Sequence, residues 1–225
     1  MQVLAIDIGG TWIKLLLSSA HEPRRIPSSP TLTPPQMVES VKKAVADWKH
    51  DVVSIGFPAP VVNDKPTKEP FNLGPGWVGF DFEAAFGCPV HMLNDAAMQG
   101  LGSYRGGKML FLGLGTGLGS CMVIDGSVVP MELAHLPYKD STFEDYLGVR
   151  GLKRLGMEQW RVCVADVVVR LAAALLPDDV VLGGGNVKNL AVLPPGCRAG
   201  DNFNAFLGAF RLWELPVRPV WPVLP

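Results

Sequence analysis

Residues 3–17 read VLAIDIGGTWIKLLL. The run Val3–Ile8 is apolar except for Asp7, Gly9 and Gly10 interrupt it, and residues 13–17 resume an apolar pattern. Two short strands around a Gly-rich turn predict a β-hairpin. Glycine lets backbone N–H groups approach an anion closely, because no Cβ intervenes. Asp7 ends an apolar strand, where a carboxylate is costly without a metal or hydrogen-bond donors as partners. Thr11 adds a hydroxyl beside the turn. Lys14 supplies either a cation for the site or an ordinary solvated strand residue.

A second stretch, MLFLGLGTGLGSCMVI at residues 109–124, repeats the design. A strand over residues 109–114 runs into Gly113, Gly115, Gly117 and Gly119 with Thr116 among them, and residues 120–124 return as a strand. Asp125-Gly126 is a strong hairpin-turn dipeptide. The repetition predicts two related lobes. A dinucleotide fold would require G-x-G-x-x-G between a strand and a helix. Here the spacing is G-x-G-x-G-x-G, a strand follows, and no G-x-x-x-x-G-K-[ST] loop occurs. The glycines favour phosphate clamping between two hairpins.

Outside these stretches, residues 23–35 are rich in Pro, Ser and Thr and read as a loop. Thr33 is placed to cap a helix with Pro34 or Pro35 in its first turn. Met37, Val38, Val41, Val45 and Trp48 would share its buried face. Val52–Phe57 is an apolar strand stopped by Pro58 and Pro60, and residues 63–79 read mostly as loop. A strand over residues 90–93 leads to a helix capped by Asn94 or Asp95. Residues 158–176 read as a helix, 180–182 as a strand and Gly183-Gly184-Gly185 as a turn. Phe203, Phe206, Leu207, Phe210 and Trp213 mark a last amphipathic helix, and the Pro-rich tail at 216–225 reads as extended.

Asp95 at a strand end suits a general base, since a hydroxyl attacks phosphorus well only when its proton is removed. A plain helix cap is the alternative. Asn72, Glu132, His135 and Glu144 are polar groups able to read sugar hydroxyls, each with a bland surface or packing alternative.

The 225 residues are 48% hydrophobic and 18% charged, with a net charge of -1. A chain of this length buries roughly 70% of its unfolded surface. The balanced charge gives no reason to expect nucleic acid or an anionic membrane as partner. No apolar run reaches a membrane span, and no signal peptide is expected. The four cysteines lie scattered, away from metal-ligand spacing, and read as reduced thiols of a cytoplasmic protein.

Together these motifs resemble the ROK family of bacterial sugar kinases and repressors, over nearly the whole chain up to Glu214. Asp7-Ile8-Gly9-Gly10-Thr11 and Leu114-Gly115-Thr116-Gly117-Leu118-Gly119 resemble its two phosphate motifs. Gly56-Phe57-Pro58-Ala59-Pro60-Val61 is similar to its proline loop. Asn72-Leu73 with Gly76-Trp77 is similar to its sugar-contact loop, and Leu93-Asn94-Asp95-Ala96 to its catalytic segment. Glu132-Leu133-Ala134-His135 resembles the E-x-G-H motif with alanine for glycine, and Glu144 matches a later sugar-binding glutamate. Gly183-Gly184-Gly185 is similar to the turn near the nucleoside.

The resemblance implies an α/β, two-lobed actin-like ATPase (ribonuclease H-like) fold with mixed sheets. One lobe would span residues 1–107, completed by a helix at 201–215, and the other residues 108–200. It implies a homodimeric hexose kinase with Asp95 as base and Asn72, Asn94, Asp95, Glu132, His135 and Glu144 on the sugar. Glucose is the expected acceptor, with another hexose such as fructose or an N-acetylhexosamine as alternative. Asp7, Gly9, Gly10, Thr11, Lys14, Gly115, Thr116, Gly117 and Gly183 to Gly185 would hold the donor, ATP or polyphosphate. Mg²⁺ would lie near Asp7, through water. Many members carry a Cys-rich zinc loop after the histidine; residues 136–143 contain no cysteine, so no zinc is expected. The short length and Trp77-Val78-Gly79-Phe80-Asp81 are similar to the polyphosphate glucokinase branch. A polyphosphate donor needs a basic track, for which Lys139, Lys188 and Arg105 are candidates. The competing classes are a non-catalytic sugar- or nucleotide-binding regulator and an actin-like assembly ATPase. The repressors' helix-turn-helix has no counterpart before the first strand, so no DNA-reading role is expected.

Overall fold

The computed structural model describes residues 1–214; the tail read as extended at 216–225 lies outside them. Two five-stranded mixed sheets dominate. The first contains β1 (Val3–Ile8), β2 (Trp12–Leu17), β3 (Arg24–Pro27), β4 (Val52–Phe57) and β5 (Val90–Asn94), in the order β3-β2-β1-β4-β5. The second contains β6 (Lys108–Leu114), β7 (Leu118–Ile124), β8 (Ser127–Met131), β9 (Asp179–Gly183) and β10 (Cys197–Ala199), in the order β8-β7-β6-β9-β10. In each sheet the first three strands pair antiparallel and the last two add in parallel. The repeat read from the two Gly-rich stretches is therefore a repeat of whole-sheet topology. Asp125 and Gly126, at φ 48° and 82°, make the tight turn between β7 and β8.

Among the described residues seven helices fill the remaining layers: α1 (Pro34–Ala44), α2 (Phe82–Phe86), α3 (Asp95–Ser103), α4 (Phe143–Leu147), α5 (Val149–Leu155), α6 (Met157–Leu175) and α7 (Asn204–Arg211). Met37, Val38 and Val41 of α1 pack on Leu4, Ile6, Ile13 and Leu15 of the first sheet. Trp160, Val164, Val167 and Leu171 of α6 pack on Leu110, Leu112, Val180 and Leu182 of the second. Between the sheets lies a third core, in which Ala97, Met98 and Leu101 of α3 and Phe206 and Ala209 of α7 meet Ala5, Leu16, Phe111, Cys121 and Val181. The layers run helix, sheet, helix pair, sheet, helix, and each strand of the pattern is apolar on both faces where both are covered.

The middle pair crosses at very short range. A Cβ on Gly102 would collide with the Asn204 carbonyl, and one on Gly208 with the Met98 carbonyl. Arg211 then donates to the carbonyls of Leu101, Gly102 and Tyr104 at 2.7, 3.1 and 3.0 Å, satisfying the C-terminal end of α3. Buried Ser54 of β4 donates to the Ala209 carbonyl at 2.7 Å and accepts from Trp213 Nε1 at 2.8 Å.

Some boundaries differ from the sequence reading. β2 begins at Trp12 rather than at residue 13, because Trp12 pairs with Pro27 of β3. Helix α1 stops at Ala44, so Trp48 lies past it, with the Arg24 guanidinium 4.0 Å over its ring. The last helix is Asn204–Arg211, shorter than the expected span at 201–215. The segment at 63–79 is organised around Trp77, which is fully buried and donates Nε1–H to the Gly74 carbonyl at 2.7 Å. Glu69 accepts from the N–H groups of Trp77 and Val78 at 3.1 and 3.2 Å, so this Gly- and Pro-rich loop has a fixed shape.

Candidate active site

The first turn joins β1 to β2. Gly9 N–H donates to the Trp12 carbonyl at 3.0 Å and closes it. Asp7 and Lys14 are register partners across the hairpin, and Lys14 Nζ reaches Asp7 Oδ2 at 2.9 Å. Lys14 is thus the partner that the strand-end carboxylate demanded. The Asn72 amide packs against Gly10, leaving no room for a Cβ there, so the folded loop delivers Asn72 directly to the turn.

Parallel strand β5 delivers the next group. Asn94 accepts a hydrogen bond from Ala97 N–H at 2.6 Å and is the N-cap of α3. Asp95, one residue on, accepts from Ala96 N–H at 2.7 Å through Oδ1. Among the described residues its Oδ2 has no hydrogen-bond donor, so one oxygen is open to take a proton. The residue meets solvent on one side while protein crowds its carboxyl on the others. That burial pushes its pKa up to about 6, helped by the negative charge of Asp7 and of Glu132 and opposed by the Ala96 N–H.

The second turn joins β6 to β7. Val149 N–H, opening α5, donates to the carbonyls of Gly115 and Thr116 at 3.2 and 3.1 Å. Asn186 adds Nδ2–H to the Gly115 carbonyl at 3.0 Å and its own N–H to Leu114 at 2.9 Å. In a trans peptide the N–H lies opposite the C=O. The N–H groups of Thr116 and Gly117 therefore point away from α5, and neither has a backbone acceptor among the described residues. This is a donor pair for an anion. The Glu144 carboxyl lies against Gly117, and the Ala96 methyl against Gly119, where any Cβ would sit 2.6 Å from it. The turn at Gly183-Gly184-Gly185 adjoins the same place, with Gly184 at φ 84° packed on the Leu114 carbonyl.

Glu132 and His135 flank a 3-10 turn, Leu133–His135, after β8. Buried Ser120 anchors it by donating to the Met131 carbonyl at 2.8 Å and accepting from Leu133 N–H at 3.2 Å. His135 Nε2 stands 3.8 Å from Glu132 Oε2, and both side chains are more than half exposed. Ala134 fits in place of glycine because its backbone is outside the left-handed region.

The structure thus brings Asp7, Gly10, Asn72 and Lys14 to one turn, and Gly115, Thr116, Gly117, Glu144 and Gly183 to Gly185 around the other. Asp95 and Glu132 share an electrostatic environment with Asp7. The three cations considered for a basic track lie on different elements. Arg105 follows the C-terminal end of α3, a nine-residue helix about 13 Å long with Asp95 at its start. Lys139 lies over the Tyr138 and Tyr146 rings at 5.2 and 5.1 Å, and Lys188 sits in a 3-10 turn. Asn186 and the Gly148–Val149 corner escaped the sequence reading, since their part is played by backbone hydrogen bonds.

No three His, Cys, Asp or Glu side chains converge as a metal cage among the described residues. Mg²⁺ does not need one. It binds through one or two carboxylates, waters and substrate phosphates. Asp7, facing the charge of Asp95 beside the Gly-rich turn, is a fitting carboxylate.

The ROK family model matches residues 3–130. A polyphosphate glucokinase of Mycobacterium leprae is 28% identical over 203 residues, covering 80% of this chain and 62% of that protein's length. A fructokinase of Pediococcus pentosaceus is 25% identical over 260 aligned positions, covering 94% of this chain and 88% of its own. Among solved structures, the inorganic polyphosphate/ATP-glucomannokinase of Arthrobacter sp. strain KM superposes with a TM-score of 0.79 at 25% identity, covering 95% and 99% of the two chains. A glucokinase of Streptomyces griseus, solved with glucose and AMPPNP, shares the fold at a TM-score of 0.75 and 17% identity, covering 94% and 99%.

Proposed function

The chain belongs to the ROK family, and on that premise we propose that it is a hexose kinase, transferring a phosphoryl group from ATP or polyphosphate to a sugar hydroxyl, with glucose as acceptor and glucose 6-phosphate as product. The observation that carries this reading is Asp95. It stands at the start of α3 with Oδ2 free of donors and its pKa near 6. At neutral pH it is ionised and close to the operating range of a general base.

In this mechanism Asn72, Glu132, His135 and Glu144 hold the sugar and place the reacting hydroxyl at Asp95. The Asn94 side-chain amide, whose oxygen is used as the cap, has its NH₂ left for the same task. Asp95 Oδ2 takes the hydroxyl proton as the oxygen bonds to phosphorus and the bond to the remaining donor phosphate breaks. The N–H groups of Thr116 and Gly117, with Gly9, Gly10, Thr11 and Lys14 opposite, hold the donor oxygens and spread the charge. Asp7 would hold Mg²⁺, which neutralises donor phosphate charge when bound. An ATP nucleoside would lie at Gly183 to Gly185.

We also read residues 1–107 with the C-terminal helix as one lobe and 108–200 as the other. A homodimer is supported by α6, whose outer face exposes Val162, Val169 and, just beyond it, Leu176. A cytoplasmic setting is supported by four unpaired cysteines, and a glucose kinase there would serve glycolysis.

Asp95→Asn tests the reading. The helix cap is Asn94, so the substitution leaves capping, size and fold intact. It is expected to lower kcat by roughly 10² to 10⁴, the usual range for general-base catalysis, with sugar affinity largely kept. A variant retaining more than about a tenth of wild-type kcat would show that another group takes the proton.

A further inference from the structure

The row of side chains beginning at Asp7 continues past the phosphate turn. Asp7 pairs in register with Lys14, and Lys14 with Arg25 of β3, the edge strand of its sheet. These positions span about 10 Å at ordinary strand spacing. Trp12 projects from the same face, two residues from Lys14. That face is the one turned toward the second sheet, since Ala5 and Leu16 on it join the middle core, whereas Ile13 and Leu15 face α1.

Two side chains of the row stand at the surface. Trp12 is 40% exposed, directly after the phosphate turn. Its indole carries the Arg25 guanidinium at 4.7 Å. Arg25 is exposed and has no carboxylate partner among the described residues, whereas adjacent Arg24 is held by Asp47 at 2.5 Å. The Thr11 carbonyl accepts from Ser28 N–H at 2.9 Å, so β3 is tied to the turn and the row keeps its place.

We propose that Trp12, Lys14 and Arg25 form a binding surface for the tail of a linear polyphosphate donor, running from the first phosphate turn to the β3 edge. This rests on the kinase reading above and names the donor class that the surface serves. A nucleotide's phosphates end at a nucleoside, which is drawn to the Gly183 to Gly185 side. A linear polyphosphate bears charge on every unit, so cations beyond the turn benefit that donor alone. A guanidinium is suited to the task, because its planar fork matches two phosphate oxygens and the ring beneath it fixes its plane.

The experiment compares long-chain polyphosphate, tripolyphosphate and ATP as donors to glucose in wild type, Arg25→Ala, Arg25→Lys and Trp12→Ala. Arg25→Ala is expected to raise KM for long-chain polyphosphate about tenfold, with KM for ATP and tripolyphosphate within about twofold of wild type. Arg25→Lys, which keeps charge but not the fork, falls between, and Trp12→Ala shifts the same way by less. Equal increases for ATP and long chains, or none for either, would overturn the proposal. So would a wild type that uses ATP and ignores polyphosphate, and that outcome leaves the kinase reading standing. Calorimetric titration of long-chain polyphosphate into wild type and Arg25→Glu reads the surface without turnover. Undiminished binding by Arg25→Glu also overturns the proposal, whereas loss of transfer with every donor strikes the kinase reading alone.

Discussion

At the residue scale the proposal turns on Asp95. From sequence its alternatives were base and helix cap. In the structure Asn94 caps α3 and Asp95 keeps one oxygen free, which supports the proposed base. Its displaced pKa has a consequence for stability. A carboxyl raised from 3.8 to about 6 binds its proton more tightly folded than unfolded, so the stability it contributes is full below about pH 4 and is lost as the pH rises through 6. At pH 7 the charged group therefore weakens the fold. Solvent on its exposed side screens it, so the cost is about 1 kcal/mol, well under that of a sealed carboxyl. Asp95→Asn should unfold at higher urea than wild type at pH 7, by about 1 kcal/mol, with the difference gone near pH 4. A wild-type kcat/KM falling on an acid limb near pH 6 would report the same group. Equal stability of the two proteins at pH 7, and no acid limb, would place the charge elsewhere.

At the scale of elements, the two Gly-rich hairpins and the helices flanking the sheets were legible because their signals are local. Alternating glycines, a Pro in a first turn and an apolar face at helical spacing need no tertiary knowledge. The α3–α7 crossing was not legible. Gly102 and Gly208 are unremarkable in sequence, and only the approach of two backbones more than a hundred residues apart gives them meaning. The end of α1 before Trp48 was missed for a related reason, since Arg24 from another strand claims that ring. The crossing makes a sharp prediction. Ala for Gly in a helix ordinarily gains about 1 kcal/mol. At Gly102 the added methyl meets the Asn204 backbone, which cannot move aside as a side chain would, and overpacking costs about 1–3 kcal/mol. Gly102→Ala should therefore lower the urea midpoint. An unchanged or raised midpoint would mean that the helices are further apart than described.

At the scale of the molecule, the repeated sheet order places one Gly-rich turn on each sheet, with the α3 and α7 pair between them. The sequence reading reached the repeated sheet order through the two Gly-rich stretches, and it named the candidate residues through motif order. What it could not reach was which cations lie together. Lys14 and Arg25, distant in sequence, are register partners on neighbouring strands. Two turns on separate sheets imply closure around substrate, since open water at the donor would favour hydrolysis over transfer. Small-angle scattering with saturating glucose should show a more compact particle, and an identical profile with glucose demonstrably bound would argue against closure. The central claim is phosphoryl transfer to a hexose. Its most direct measurement is a coupled assay of purified protein with Mg²⁺, crossing glucose, fructose and N-acetylhexosamines with ATP and polyphosphate. The account expects sugar-dependent donor consumption with stoichiometric sugar phosphate, fastest with glucose. Donor hydrolysis indifferent to every sugar, or no turnover with any pair, would contradict it.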